Sequence, residues 1–526
     1  MVMELDPPTI VPQPEAAATP KWIKVLDQSR CIGCHACTTA CKAENEVPLG
    51  VTRTYVKYVD VGVFPQARRA YQVTRCNQCE DAPCVASCPT SAMHRRDDGI
   101  VDFDKSVCIG CKACIAACPY DAIFINPEDH SAEKCNLCAH RIDQGLEPAC
   151  VTVCPVNAIL VGDLNDPDSH AAQIAQREAV TVRRPEKETH PKLFYKGATQ
   201  FTLDPLAAER PTGDIFMWSE QPSGPHTVTS GMPADGRRNS SAAAVLAYDV
   251  AHSIPWDWRV SLYTWTKNVA AGAYLVPLLL VLFGRLDAAN PLWTWIGPML
   301  GLAFLAITGG VLIWDLEHPL RFLLIFTRPQ WRSWLVRGGF IILGYGAVAS
   351  FHVLATILGR DDLHGPLAIA GGPLALMAAV YTAFLFAASK ARDLWQSPLL
   401  APHIAVQAVL AGGAATILVA LAAGEPTGPS ALALAIGLVA HLGFVLGEVT
   451  LPHPTAHAAL AAHEMVGGRY RWWFRLGIVA CVAALALLAL PFGATLGGIG
   501  AAVAALVGLF AHEHAFIQAG QSVPLA

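Results

Sequence analysis

What this sequence has little of is charge, and the charge it has does not lean strongly to one sign. Lys and Arg number 37 against 42 Asp and Glu, so 15 % of the chain is charged and the formal net charge is −5. Such a balance offers no basic stripe to neutralise phosphates, which excludes a nucleic-acid partner. The opening residues, MVMELDPPTIVPQPEAAATP, are acidic and proline-rich and lack the basic and apolar regions of a secretory signal. A disulfide framework is therefore not expected, and clustered thiols read as metal ligands. Cysteine is nearly missing from the second half: 16 of 17 lie between Cys31 and Cys154, and Cys481 stands alone in an apolar run. Residues 260–520 are dominated instead by Ala, Leu, Val, Ile and Gly, and the mean hydropathy of the chain is +0.38. A chain of 526 residues exceeds one hydrophobic core, and this split divides it into a cysteine-rich half and a membrane half.

The 16 cysteines fall into four groups of four. The first, CIGCHACTTAC, holds Cys31, Cys34, Cys37 and Cys41, and the second holds Cys76, Cys79, Cys84 and Cys88. Cys108, Cys111, Cys114 and Cys118 form the third, and Cys135, Cys138, Cys150 and Cys154 the fourth. The third group matches the C-x2-C-x2-C-x3-C-P run of bacterial ferredoxins, in which three thiolates hold one cubane and the fourth reaches to a second. Pro89, Pro119 and Pro155 follow three of the groups, whereas Lys42 follows the first. Zinc is the competing reading for C-x2-C pairs, but it gains nothing from three cysteines within seven residues, which two groups have. Sixteen ligands make four [4Fe–4S] clusters.

These groups, with GDLNDPDS at Gly162–Ser169 and PEKETHPKLFY at Pro185–Tyr195, resemble the four-cluster electron-transfer subunits of the molybdopterin oxidoreductases (the polysulfide, dimethyl sulfoxide, nitrate and formate enzymes). The resemblance implies that the first group pairs with the fourth and the second with the third. One cluster would then take Cys31, Cys34, Cys37 and Cys154, and its partner Cys135, Cys138, Cys150 and Cys41. The other two would take Cys76, Cys79, Cys84 and Cys118, and Cys108, Cys111, Cys114 and Cys88. Spacing alone does not choose this pairing.

Eight apolar stretches are long enough to cross a bilayer: roughly 260–283, 291–313, 334–358, 366–389, 402–423, 430–451, 472–491 and 496–518. The expected fold is thus an N-terminal α+β tandem bacterial-ferredoxin-like domain and a C-terminal all-α eight-helix transmembrane bundle. Expected boundaries are a disordered lead-in over 1–24, the four-cluster domain over 25–200, a Pro/Gly/Ser-rich linker over 201–255 and the anchor over 256–520. By parity the loops on the ferredoxin side carry Arg321, Arg328, Arg332, Lys390, Arg392, Arg469 and Arg471, with Arg475 just inside a span. Those opposite carry Arg285 and Arg360. The positive-inside rule then places the ferredoxin half on the cytoplasmic side of a bacterial inner membrane.

That side also gathers the polar residues lipid disfavours. WDLEHPLRF, RPQWRSWLVRGG and GEVTLPHPTAHAALAAHEMVGGRYRWWFRLG resemble the membrane subunit of polysulfide reductase and its relatives, quinone-reactive anchors without haem. We read Asp315, His318 and Lys267 as proton-exchanging groups of a quinone site. Tyr263, Trp265, Arg321 and Trp334 would be its walls, and Glu448, sharing a helix face with His441, part of a proton path. The quinone would be menaquinone or ubiquinone. Haem is not expected, because His403 and His512 make only one weak pair, with His352 and His441 at other depths. The chain is therefore read as moving electrons between a separate molybdopterin-containing subunit and the quinone pool of the bilayer. The alternatives are a redox-driven proton-translocating module and a quinol:cytochrome-type complex without molybdenum.

Overall fold

A computed structural model describes residues 19–62, 64–210, 243–489 and 494–526. Most of the expected lead-in, 1–18, and the middle of the expected linker, 211–242, lie outside the described residues.

In the ferredoxin-like half a four-stranded sheet closes the domain's beginning onto its end. Trp22–Asp27 lies antiparallel to Ile159–Asp163 and parallel to Leu193–Lys196, which in turn pairs with Val180–Thr181. Trp22–Asp27 is buried along nearly its whole length, as expected of a strand covered on both faces. Lys24 is buried with it because its ammonium reaches the Cys135 sulfur at 3.5 Å. Two short hairpins, Met93–Arg95 with Val101–Phe103 and Ile123–Ile125 with Ala132–Lys134, flank the second and third cysteine groups.

The hairpin of Thr54–Val61 and Arg68–Arg75 carries a third strand, Ala244–Tyr248, on its open edge. This corrects the expected linker, because residues 244–248 belong to the ferredoxin half. The run AVLAY is too short and too alanine-rich to stand out from its surroundings, and its burial comes from the edge it covers.

Among the described residues, eight helices long and apolar enough to cross a membrane make the membrane half: α1 (Trp258–Leu282), α2 (Leu292–Trp314), α3 (Trp334–Ile357), α4 (Asp361–Ala388), α5 (Leu400–Ala423), α6 (Gly428–Thr450), α7 (Arg471–Ala489) and α8 (Thr495–Gln521). Helix α1 is the most enclosed of them. It crosses α5 where Gly272 meets Gly412: a Cβ on Gly272 would lie 1.9 Å from the Ala408 carbonyl oxygen. Small residues at that crossing let the backbones touch, which is how helices associate in lipid without a hydrophobic driving force.

The segment between α2 and α3 fastens the two halves together. The His318 amide donates to the Ile109 carbonyl (3.2 Å), the Gln330 amide to Pro89 (3.0 Å) and the Ser333 hydroxyl to Ser87 (2.8 Å). Further along, Arg183 donates across the seam to the Leu525 carbonyl, while within the membrane half Arg392 donates to that of Gln521, both at 2.8 Å.

Candidate functional site

Each set of converging thiols draws on two separate segments of the protein. Cys31, Cys34, Cys37 and Cys154 line one cavity of about 20 Å³ with Val56, Val73 and Ile159. Cys88, Cys108, Cys111 and Cys114 line another of the same size with Met93 and Ala132. Cys84 lies in the field of Cys118, Cys76 and Cys79. Burial first, then the sulfurs of Cys135, Cys150 and Cys138, push the Cys41 thiol up to about 12 against the pull of Arg75. His35 and Lys112, each following the second cysteine of its group, hold the same left-handed turn at φ 59° and 61°. Lys42 donates to the Pro48 and Val51 carbonyls, so it pins the loop after the first group.

Backbone amides are aimed at the sulfurs: Met93 at Cys88 (3.3 Å), Ala132 at Cys108 (3.4 Å), Ala158 at Cys154 (3.3 Å) and Gln78 at Cys76 (3.4 Å). Arg75 is buried among the thiols and donates to the Cys150 sulfur at 3.0 Å. Its Nε and second Nη nitrogens have no partner among the described residues. Although burial works the other way, Lys24 and Arg75 bring the Cys135 thiol down to about 7. A buried cation without a counter-charge costs several kcal/mol. An anionic iron–sulfur centre where the sulfurs converge supplies that charge, so the residues fit the group.

The thiol sets form a line. Cys37 lies close enough to Cys150 to feel its charge, and Cys114 likewise to Cys84. Gln78, between Cys76 and Cys79, donates to the Cys135 carbonyl at 2.9 Å. One end is open to solvent at Cys34 and Ile32. The other end is bonded to the membrane half: Trp256 Nε1 donates to the Cys111 carbonyl (3.1 Å) and Arg321 to that of Cys108 (2.8 Å). Gly110 stands at φ +70° so close to Glu317 that a Cβ would fall 2.3 Å from the glutamate's own.

At this seam Lys112 pairs with Glu317 (2.8 Å) and Arg259 with Asp257 (2.7 Å). Asp315 is buried 3.4 Å from Arg259, and its Oδ1 accepts no hydrogen bond among the described residues. Burial first, then the charges of Asp257 and Glu317, outweigh Lys112 and Arg259 and push its carboxyl up to about 6. A cavity of about 390 Å³ borders the same place, with Lys112, Ile115, Asp257 and Glu317 in its wall; small-molecule pockets start near about 300 Å³.

The structure sorts the residues expected at this site. Asp315, His318 and Arg321 lie together at the seam, His318 Nε2 being 3.3 Å from the Ser131 hydroxyl. Tyr263 and Lys267 are buried on α1, one turn apart, and Lys267 donates to the Ala379 carbonyl with its ammonium 5.2 Å from the Tyr381 ring. Trp265 departs from the expectation. It faces the other way, donating to the Leu506 carbonyl (2.9 Å) and packing on Phe304 and Phe510. Two residues along a helix turn the side chain by about 200°, so it does not share a wall with Tyr263 and Lys267. Trp334 stacks on Phe384 at 4.5 Å. Glu448 is half-buried on α6, with no hydrogen bond to these groups among the described residues.

Tyr381, Asn268 and Glu513 were not singled out from the sequence. Tyr381 sits unmarked in an apolar run, and Asn268 finds Glu513, 2.7 Å away, only through tertiary packing.

Over residues 248–525 the protein matches the family described as Polysulphide reductase, NrfD. A 4Fe-4S dicluster domain matches residues 67–164 and a 4Fe-4S binding domain residues 22–43. The sequence is 41 % identical over 200 residues to the B subunit of tetrathionate reductase from Salmonella typhimurium, covering 36 % of this protein and 78 % of that one. It is 40 % identical over 177 residues to the B polypeptide of polysulfide reductase from Wolinella succinogenes, covering 33 % and 93 %. With the arsenate respiratory reductase iron-sulfur subunit ArrB of a Shewanella species it shares 34 % over 219 residues, covering 32 % and 94 %.

Proposed function

The chain belongs to the NrfD polysulphide reductase family and joins that multi-pass membrane half to an iron–sulfur electron-transfer half; from this premise we propose that it connects a separate catalytic subunit to the quinone pool. The observation that carries the reading is the line of thiol sets, open to solvent at Cys34 and bonded to the membrane half at Cys108 and Cys111.

Four [4Fe–4S] centres would be held by the four quartets, the first group paired with the fourth and the second with the third, and when bound they carry single electrons along the line. The protein's own residues set the environment of each quartet. Sulfur-directed amides stabilise thiolate, and Arg75 and Lys24 place two buried positive charges beside the quartet of Cys135, Cys138, Cys150 and Cys41. Substituting Arg75→Met is expected to lower the reduction potential there by about 60–130 mV. That is one charge-assisted hydrogen bond of about 1.5–3 kcal/mol expressed for a one-electron couple. An unchanged midpoint in a potentiometric titration followed by electron paramagnetic resonance would count against the role of Arg75.

Three relatives are named as subunits of tetrathionate, polysulfide and arsenate reductases. They support a molybdopterin-containing catalytic partner, docked where Ile32 and Cys34 are exposed. At the other end Asp315 and His318 would exchange protons with quinone, Arg321 would hold the seam closed, and Lys267 with Tyr263 would form the membrane-side wall.

The same reading keeps the ferredoxin half on the cytoplasmic side. Arg392 is buried and donates to the Gln521 carbonyl, and Arg321 binds the Cys108 loop, so the charge asymmetry rests on Arg328, Arg332, Lys390, Arg469, Arg471 and Arg475.

Purifying the intact complex tests the proposal. The expected result is about sixteen irons per chain, a molybdenum-bearing partner and quinone-dependent turnover. A complex that purifies active without molybdenum rejects the partner assignment.

A further inference from the structure

Three histidines from three helices meet inside the membrane half. His403 lies in α5, His441 in α6 and His512 in α8, and all three are buried. The sequence suggested at most the pair of His403 and His512, with His441 at another depth. His403 is three residues into α5, whereas His441 is nine residues from the end of α6. Their contact therefore means that α6 overruns the start of the antiparallel α5 by about 9 Å. Depth counted from span ends misses this offset.

One ring nitrogen from each residue lies within 4.8 Å of the other two. His403 Nε2 and His441 Nδ1 are 2.9 Å apart. The ring centres are separated by 5.0 Å (His403–His441), 4.8 Å (His441–His512) and 5.5 Å (His403–His512). His441 Nε2 and His512 Nδ1 have no hydrogen-bond partner among the described residues. A cavity of about 20 Å³ touches His403 and His512, with Gln407 and Glu513 also in its wall. One Glu513 oxygen accepts from Asn268, while Oε2 has no partner among the described residues.

A neutral imidazole has one donor and one acceptor, so three rings in contact with buried nitrogens left over form a poor hydrogen-bond network. They form a good ligand set. Nitrogens bound tetrahedrally at about 2.0–2.1 Å from zinc lie roughly 3.3 Å apart, within the spread seen here. Three histidines with one open position are a recurrent zinc arrangement, and imidazole selects borderline transition ions over magnesium or calcium. The void is large enough for one water as a fourth ligand, and Glu513 in its wall would be held ionised by a bound cation. A haem would need two rings on opposite faces of a porphyrin, whereas these three nitrogens lie within 4.8 Å of one another.

We propose that His403, His441 and His512 bind one divalent transition-metal ion of the zinc type, tying α5, α6 and α8 together, with Glu513 partly balancing its charge. The proposal does not depend on the quinone reading, because none of the three histidines belongs to that seam.

The test uses the full-length protein in its purified complex, from cells grown with added zinc. Elemental analysis is expected to show about one zinc per chain beside the iron, and X-ray absorption a shell of imidazole nitrogens at about 2.0 Å. His441→Gln and His512→Gln should each cut bound zinc at least tenfold while iron content and cluster spectra persist. Zinc at background in the wild type overturns the proposal, and so does zinc retained by a His403→Gln/His512→Gln double variant. A haem absorption band from this protein, or one copper in place of zinc, overturns the choice of ligand. Zinc-free wild type with slowed proton uptake in His441→Gln would assign the trio to proton relay instead. If the variants fail to assemble, the stoichiometry and absorption spectrum of the wild type decide alone.

Discussion

Replacing Cys41 with serine is expected to abolish the centre built on Cys135, Cys138 and Cys150 and to leave that of Cys31, Cys34, Cys37 and Cys154 in place. Iron should fall from about sixteen to about twelve per chain, one cubane of four. The helix Ala36–Glu44 carries Cys37 and Cys41 one turn apart, both buried. Adjacent turns on one face would ordinarily serve one neighbour, yet the surroundings of the two sulfurs differ. Cys41 shares a donor with the fourth group: the Asn45 amide nitrogen is 3.7 Å from the sulfurs of both Cys41 and Cys138. Arg53 fixes that amide by donating to the Asn45 side-chain oxygen at 2.7 Å, and it also pairs with Glu133 at 2.7 Å. Electron paramagnetic resonance of the reduced variant distinguishes the centres. Loss of the first-group signal with the fourth-group signal intact would sink the pairing.

Asp315→Asn is expected to slow quinone turnover by about 10²–10⁴-fold, the range for losing a positioned general acid or base. Iron content and electron entry from the partner should not change. Burial leads in raising this carboxyl to about 6, with Asp257 and Glu317 adding to it and Lys112 and Arg259 opposing. The group is therefore protonated below about pH 6 and charged above. As a proton donor to quinone it would let the rate fall as pH rises through that value; as a base toward quinol it would make the rate rise. In either direction the limb near pH 6 belongs to Asp315 and should vanish in the asparagine variant. Removing an opposing cation with Arg259→Gln should move the limb to higher pH. A limb that persists in Asp315→Asn would assign proton exchange to another group and leave Asp315 as a docking residue.

Ligand spacing and hydropathy are local properties of a polypeptide, and they carried far here. The split into an iron–sulfur half and a membrane half needs only the placement of 16 cysteines and the apolar runs. Every observed helix end lies within five residues of the expected span, because the bilayer's thickness demands the same length from each. Asp315, His318 and Arg321 were legible as a group since they sit in one short loop.

Contacts between distant segments were not legible. Trp265 sits two residues from both Tyr263 and Lys267 in sequence but faces another helix. Ala244–Tyr248 is a strand only because Thr54–Val61 leaves an edge open. Lys24 and Arg75 look like surface charges in sequence, and become the cations beside Cys135 and Cys150 once the sheet buries them.

By itself, then, the sequence determined that one half is an iron–sulfur half rich in cysteine and that the other holds eight stretches long and apolar enough to cross a membrane, since both are written in local composition and spacing. Tertiary structure alone decided which thiol set meets the membrane half, which charges surround the others, and that His403, His441 and His512 share one point. Each of these depends on how helices and strands far apart in the sequence are offset, and no local pattern encodes an offset.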